Sequence, residues 1–284
     1  MTTTHDGVAH NVAPEDYHAW PEVSNSMLSA MARSPYHCWA EYMAPNRPER
    51  KATAAMKAGT LLHALVLEPH TVDARYIVRP DGLDLRTKEG REWARSTPAG
   101  IDIISSEQWQ TALAQRDAIM AEPFLARLLS APGPSEVSAT WVDGATGLRC
   151  KMRADRVTQI DGDRFIVDMK TASDGSPHGF SRAVATYGYH RQQAHYTNGW
   201  KSAAGVPGLE FVFAVVTAEY PFVATAYVLD ADSAQQGQDE VAELLAEFAR
   251  CQRLDHWPAY GSGPQIISLP AWAKPQQEIE IAYA

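Results

Sequence analysis

The spacing of apolar residues divides this 284-residue chain into a helical first half and a mixed second half. Up to about residue 130 the chain is mainly helical in prediction, although residues 70–104 have a mixed pattern that favours neither helix nor strand. Helices are predicted over residues 24–33, 36–42, 52–67, part of 86–95, 105–122 and 123–129. The clearest boundary is Ser105, because Gln108 three residues later completes a capping box.

From residue 135 the apolar residues fall into short runs that predict strands. Three strands are predicted over 136–142, 148–160 and 164–171, then a helix over 181–204, strands over 211–217 and 223–229, and a helix over 231–254. This order predicts a mixed α/β fold behind a helical N-terminal section.

The same pattern predicts one folded domain with irregular ends. Residues 1–14 are expected to form a flexible arm and residues 255–284 an irregular tail. The domain between them, residues 15–254, consists of a helical section (24–130), a strand meander (135–171) and a helix/strand/helix section (181–254).

A predicted hairpin in the meander sets two carboxylates against each other. Asp161-Gly162 is the signal for a two-residue type I′ turn. If these two residues are the whole loop, Asp155 lies directly opposite Asp168, with Cβ atoms roughly 4.5–5.5 Å apart. Lys170 follows Asp168 by two residues and projects from the same face. Two acids forced together need a cation or a proton between them, which indicates a divalent-metal site.

A structural interpretation of these charges is also open. Asp168 and Lys170 interrupt an apolar run, and ionised groups are rarely buried without a partner. They could form a local ion pair, or Arg153 and Arg156 could neutralise the acids. The functional interpretation uses the acids as hard oxygen ligands for Mg²⁺ or Mn²⁺, with Lys170 beside the attacking water.

Two predicted helices offer further polar groups at a spacing of four residues. Gln192 and Tyr196 share one helix face, as do Gly59 and His63. Gln192 and Tyr196 could simply form a half-buried surface, and a lone histidine on an apolar helix is usually a core residue. The donors around Gln192 would also suit a phosphate backbone.

Composition narrows the class of protein. No apolar run reaches the ~18 residues of a membrane span, and the N-terminus does not resemble a secretory signal. Cys38, Cys150 and Cys251 are too widely spaced for a predicted disulfide framework or metal site, so a reducing cytoplasm is expected. A net charge of −9 argues against a general nucleic-acid coating protein but not against a nuclease with a local basic channel.

Taken together, these motifs resemble the PD-(D/E)XK nuclease superfamily, in particular its RecE-like (exonuclease VIII) and RecB-like branch. The segment around Ser24–Tyr42 and Glu136 in PSEVSATW are also similar to the RecE-type domain. The matching motifs are G-x-x-x-H at Gly59–His63, the aspartate Asp155, D-x-K at Asp168–Lys170 and Q-x-x-x-Y at Gln192–Tyr196.

The resemblance implies a restriction-endonuclease-like core, a central mixed sheet flanked by helices, and a role for each matched residue. The implied metal ligands, for one or two Mg²⁺ or Mn²⁺ ions, are His63, Asp155, Asp168 and the backbone carbonyl of Met169. The implied catalytic residues are Asp155, Asp168 and Lys170, with Lys170 orienting or deprotonating water. The implied DNA-binding or site-supporting residues are Gln192, Tyr196 and Glu136. Some relatives carry a four-cysteine iron–sulfur cluster, which is not expected here.

The resemblance also implies an exodeoxyribonuclease that degrades one strand of linear duplex DNA from 5′ to 3′. Such proteins serve phage or prophage recombination, form rings around DNA and pass the overhang to a RecT-like single-strand annealing protein. Four alternatives stay open: a RecB-type module serving a helicase, a structure-specific endonuclease, a non-catalytic DNA-binding protein with this fold, and an unrelated metal-dependent hydrolase.

Overall fold

A six-stranded mixed sheet forms the centre of the molecule. The structure, a computed structural model, describes residues 7–48, 51–206, 208–261 and 263–269. The strands are β1 (Gly7–Ala9), β2 (Tyr76–Val78), β3 (Asp102–Ile104), β4 (Ser135–Val142), β5 (Arg149–Ile160), β6 (Asp163–Ala172), β7 (Leu209–Thr217) and β8 (Ala224–Tyr227). The large sheet has the order β1-β4-β5-β6-β7-β8. Within its described strands, β6 and β7 are parallel and every other neighbouring pair is antiparallel. Strands β2 and β3 form a separate two-stranded parallel sheet. The mixed sheet predicted from the sequence is confirmed.

Helices cover both faces of this sheet. They are α1 (Pro14–Ala19), α2 (Asn25–Arg33), α3 (Pro35–Cys38), α4 (Ala54–Leu67), α5 (Val72–Arg75), α6 (Lys88–Ser96), α7 (Ser106–Ala121), α8 (Pro123–Ser130), α9 (Pro177–Tyr187), α10 (Tyr189–Ala204) and α11 (Ala231–Leu254). A π-helical turn (Trp39–Met43) and a 3₁₀ turn (Pro69–Thr71) complete the described helical segments. Within the described ranges, no helix is long and apolar enough to cross a membrane.

Two hydrophobic cores lie on opposite faces of the sheet. One core joins the sheet to α2, α10 and α11, and the other joins it to α4, α7 and α8. Strand β6 contributes to both, because Ile166 enters the first core while Phe165 and Val167 enter the second. Burial on both faces explains why residues 165–167 of this strand are all apolar.

Local capping chemistry sets most helix starts. Ser105 accepts a hydrogen bond from the Gln108 backbone, and the Gln108 side chain accepts one from the Ser105 backbone, which confirms the predicted capping box. Asp230 caps α11 through the backbone of Ser233, and this helix has the predicted bounds. The side-chain oxygens satisfy amides that the first turn leaves without partners.

The predicted helix over 181–204 is wrong in one respect, because it consists of two helices. The chain turns at Gly188, whose φ of +69° and ψ of +39° lie in the left-handed region. A left-handed residue ends one helix before the next begins, and glycine adopts this conformation without a Cβ penalty. The break allows α9 and α10 to lie at different angles on the sheet.

The predicted arm and tail can be compared with the structure over their described residues. Residues 7–9, inside the predicted flexible arm, form β1 and pair with β4, so that prediction is wrong for these residues, while residues 1–6 lie outside the described residues. In the described part of the tail no helix or strand follows α11, and Trp257 packs against Phe248 with ring centroids 5.2 Å apart. Residues 262 and 270–284 of the predicted tail also lie outside the described residues.

Candidate active site

The hairpin between β5 and β6 has the predicted register. Asp161 and Gly162 form a two-residue turn with φ values of +53° and +95°. Ile160 pairs with Asp163, and the pairing continues to Arg156 opposite Val167. One further step brings Asp155 and Asp168 to the same level of the sheet.

A third carboxylate lies at this level, on β4. Ser135 pairs with Arg156 in the antiparallel pair of β4 and β5, so the following residue, Glu136, is level with Asp155. Three neighbouring strands therefore each contribute one acid at the same height: Glu136 from β4, Asp155 from β5 and Asp168 from β6.

Regular strand pairing is interrupted at this height. The described β4–β5 pairs skip Glu136 and Asp155, and the β5–β6 pairs end one step earlier. Glu136 has a φ of +49°, in the left-handed region that a side chain rarely adopts within a strand. In place of a ladder bond, the backbone N–H of Met169 donates to Asp155 Oδ2 at 2.7 Å. The site therefore lies where the sheet opens.

Burial along β5 shows the same irregularity. Cys150, Met152 and Ala154 enter one core at alternate positions, but the next residue in that core is Val157. The alternation thus slips by one residue next to Asp155. Asp155 lies on the opposite face from Ala154, and α4 contributes the next group of the site on that side.

Helix α4 brings His63 to the acids. Its Nδ1 lies 3.7 Å from Glu136 Oε1 and 3.7 Å from Asp155 Oδ2, which is longer than a hydrogen bond. One donor atom from each of these three residues lies within 4.8 Å of the other two. The spacing leaves a gap between one imidazole and two carboxylates.

Asp168 lies outside this group of donor atoms and has other partners. Gln192 donates to Asp168 Oδ1 at 2.6 Å, and Lys170 forms an ion pair with Oδ2. Tyr196 in turn makes a side-chain hydrogen bond with Gln192. The Lys170 ammonium lies 4.8 Å from the centre of the Tyr189 ring. Gln192 and Tyr196 thus share one helix face, as predicted, and they support the strand acid.

A positive charge accompanies each acid. Arg153 Nε donates to Glu136 Oε2 at 2.8 Å, and so this arginine pairs with the β4 acid and not with the hairpin acids that the structural interpretation assigned to it. Arg156, by contrast, donates to Ser135 Oγ and to the Ala131 carbonyl and not to an acid. The acids are Glu136, Asp155 and Asp168, and the cations are Arg153, His63 and Lys170.

The charged groups of this site shift one another's pKa values. Burial disfavours the His63 imidazolium, but the neighbouring carboxylates, Asp155 foremost, outweigh burial and raise its pKa to about 9. Burial raises the pKa of Asp155 to about 7 against the opposing effect of His63. Burial also disfavours charge on Lys170, yet Asp168 and Asp155 keep its pKa above the ordinary value. At neutral pH, His63 and Lys170 are both protonated.

The donor set fits a divalent cation. His63, Glu136 and Asp155 offer one nitrogen and carboxylate oxygens around a single gap. Burial disfavours the ionised form of Asp155, and a bound cation would favour it. Of the predicted ligands, His63 and Asp155 belong to this group, and Glu136 joins them. Asp168 is not part of the group, and the ligand roles of Asp168 and of the Met169 carbonyl stay predictions.

Comparison with known families agrees with this geometry. Residues 24–268 match the model of the PDDEXK-like domain of unknown function, DUF3799. The chain belongs to this family. The predicted membership of the PD-(D/E)XK superfamily is therefore confirmed, and the match covers every residue of the site described above. No protein of curated function matches the chain.

Solved structures support the fold assignment. A protein from Eubacterium rectale, described as a "Putative exonuclease", superposes with a TM-score of 0.62 at 16% identity, covering 92% of this chain and 96% of that chain. SSO0001 gives a TM-score of 0.29 at 15% identity, covering 69% of this chain and 86% of that chain. VC1899 from Vibrio cholerae gives 0.22 at 12% identity, covering 80% and 58%. Only the first similarity is informative, and it shows the fold alone.

Two contacts of the site were not predicted from the sequence. One is the bond between Arg153 and Glu136, and the other is the Tyr189 ring beneath Lys170. Arg153 lies two residues before Asp155, and Tyr189 three before Gln192, so both lie next to residues that the motifs identify. This closeness in the sequence is the signal that could have indicated a role for Arg153 and Tyr189 in the site.

Proposed function

We propose that this protein is a metal-dependent exodeoxyribonuclease that hydrolyses the phosphodiester bonds of linear duplex DNA. The observation that carries the proposal is the donor group of His63, Glu136 and Asp155 beside the Asp168–Lys170 ion pair. Membership of the PDDEXK-like family supports a nuclease, and the chemistry of the donor set supports a divalent ion.

In this proposal His63, Glu136 and Asp155 would hold Mg²⁺ or Mn²⁺. A bound divalent ion would supply stabilisation of negative charge on the phosphate and acidification of the attacking water. Binding requires His63 to lose its proton, because only the neutral imidazole is a ligand. Arg153 keeps Glu136 oriented towards the gap through its bond to Oε2.

Lys170 acts as a charged donor rather than as a base. Its raised pKa and its pairing with Asp168 keep it protonated. A fixed ammonium beside the reacting phosphate can orient water and stabilise developing negative charge. Gln192 holds Asp168, and Tyr196 holds Gln192, so the α10 residues fix the position of this pair.

The finer features rest on the motif resemblance to RecE-like nucleases. We propose 5′ to 3′ degradation, a role in phage-type recombination, a ring-shaped homo-oligomer and a RecT-like annealing partner. A cytoplasmic location in a bacterium or an infected host belongs to the same proposal.

Digestion of 5′- and 3′-labelled linear duplexes with Mg²⁺, beside a closed circular control, tests the proposal. Mononucleotides released from the 5′ label, with the circle intact, are expected. Cleavage of the circle would instead indicate an endonuclease. Asp168→Asn and Lys170→Met should abolish activity, whereas Asp163→Asn, an exposed change on the same strand, should not. Full activity in both site variants would refute the assignment, and DNA binding without cleavage by the wild type would favour a non-catalytic protein.

A further inference from the structure

Five glycines lie inside helices, and four of them have a visible packing reason. A Cβ built on any of the four would meet another atom at a distance that real side chains do not reach. The nearest atoms are the Asp84 carbonyl oxygen for Gly90 (2.1 Å), the Asp174 carboxyl carbon for Gly179 (2.1 Å), the Trp141 ring for Gly199 (2.5 Å) and the His190 carbonyl oxygen for Gly237 (2.3 Å). In these helices glycine permits a close approach within the protein.

Gly59 is the exception. A Cβ at this position of α4 would have no heavy atom within 4 Å, not even from the His63 side chain. Its φ is not positive, so the backbone does not require glycine either. Glycine in a helix interior is less stable than alanine, because it loses more backbone entropy. Nothing in the part of the chain that the structure describes therefore accounts for glycine at this position.

The open space at Gly59 lies one helical turn before His63, a residue of the candidate metal site. Gly59 precedes His63 by four residues and shares its helix face. Helical side chains lean towards the N-terminus, so the His63 side chain extends over the turn that contains Gly59. Any group that approached the donor atoms along α4 would pass this position.

The charge of this stretch suits a polyanion. Residues 51–67 contain Lys51 and Lys57 but no acidic residue, in a chain with a net charge of −9. Residues 51–58 are exposed, so this end of α4 stands clear of the body. Exposed lysines at a helix N-terminus attract phosphate groups. A second copy of this acidic chain would be a less suitable occupant than DNA.

We infer that Gly59 leaves the space through which the sugar–phosphate backbone of DNA reaches the donor atoms of His63, Glu136 and Asp155. The inference rests on the proposed function and adds a positioning residue to it. A side chain at position 59 would narrow this path without touching the donor atoms themselves. Binding and cleavage of DNA would then weaken while metal binding persisted.

Gly59→Ala, Gly59→Leu and the control Ala58→Leu test the inference. Ala58 is exposed on the same helix but points about 100° away from Gly59, so its substitution adds the same bulk on another face. Three readouts are compared: the melting temperature, Mn²⁺ affinity by calorimetry, and the anisotropy of a fluorescent duplex with Ca²⁺ in place of Mg²⁺. Nuclease kcat/KM with Mg²⁺ is measured on the same proteins.

DNA binding and cleavage are expected to fall as the side chain at position 59 grows. Gly59→Ala should melt at or above the wild-type temperature and bind Mn²⁺ within twofold of wild type, yet bind DNA more weakly. Gly59→Leu should lower DNA affinity and kcat/KM at least tenfold, and Ala58→Leu should match the wild type.

Several outcomes would overturn the inference. If wild type cleaves DNA and Gly59→Leu cleaves equally well, the inference fails while the proposed function stands. Loss of Mn²⁺ affinity in Gly59→Ala would place the effect in the metal site and overturn the clearance role. A wild type that neither binds nor cleaves DNA removes the proposed function and the inference together.

Discussion

The backbone of Glu136 provides a sensitive test of the site's construction. Its φ of +49° within β4 costs an L-residue roughly 1–2 kcal/mol relative to ordinary strand geometry. Glycine avoids this cost, but it also gives the unfolded chain more conformational entropy. That entropy lowers the free energy of unfolding by about 0.4–1 kcal/mol and offsets part of the stabilisation. Glu136→Gly should therefore be more stable than Glu136→Ala by about 0.5–1 kcal/mol.

The comparison isolates the backbone because both variants lose the same side-chain contacts. Each removes the hydrogen bond from Arg153 and the carboxylate near His63, so these losses cancel in the difference. Val142, an exposed residue at the end of the same strand without a positive φ, is the matched control. At this position the glycine variant, Val142→Gly, should be less stable than the alanine variant, Val142→Ala, by about 0.5–1 kcal/mol. The difference in stability between glycine and alanine thus has the opposite sign from the difference at position 136.

Urea denaturation in the presence of a chelator measures the free energy of unfolding of all four variants. Calorimetric titration with Mn²⁺ should show the same loss of affinity for Glu136→Gly and Glu136→Ala, because both lack the carboxylate. An alanine variant as stable as the glycine variant would refute backbone strain at this position. Unchanged Mn²⁺ affinity in both would remove Glu136 from the ligand set.

Three further predictions concern the surroundings of the site. Arg153→Met should weaken Mn²⁺ binding about 10–100-fold in calorimetric titration, because Glu136 loses the donor that orients it. Wild-type Mn²⁺ affinity in this variant would contradict the orienting role of Arg153. Burial opposes ionisation of Glu240, but its hydrogen bonds, foremost the one from Arg191, lower its pKa to about 2. The ionised carboxylate therefore stabilises the fold above pH ~4.5, and this stabilisation is lost as the pH falls towards 2. Glu240→Gln should therefore have a lower free energy of unfolding than wild type at pH 7. In urea melts the difference between the two proteins should disappear between pH 5 and 2.5. A difference that grew on acidification would contradict the lowered pKa of Glu240. Gly188→Ala should lower the free energy of unfolding by about 1–2 kcal/mol, since φ is +69° there, and an unchanged urea midpoint would argue against the left-handed turn.

Sequence reasoning was most accurate where local chemistry decides the structure. The Asp161-Gly162 turn fixed the hairpin register because a two-residue loop allows only one pairing. The capping box at Ser105 likewise placed the start of its helix, because its two partners are three residues apart in the sequence. These features depend on neighbours in the sequence, which a single chain displays directly.

Features that depend on distant partners were missed. Strand β1 is three residues long, too short to show an alternating pattern, and it forms only because β4 offers a free edge. The break at Gly188 depends on how α9 and α10 pack, since glycine is also tolerated within helices. The grouping of Glu136 with His63 depends on a left-handed backbone residue that no local pattern in a strand predicts.

The parallel pairing of β6 and β7 has a consequence for the order of folding. The β5–β6 hairpin is local, so Asp155 and Asp168 can meet on the microsecond timescale of hairpin formation. Gln192 belongs to the long crossover between β6 and β7, and such non-local contacts form later because the loop must close first. The two acids are thus expected to meet before Gln192 arrives. During this interval Lys170, which belongs to the same hairpin, is the cation available to Asp168.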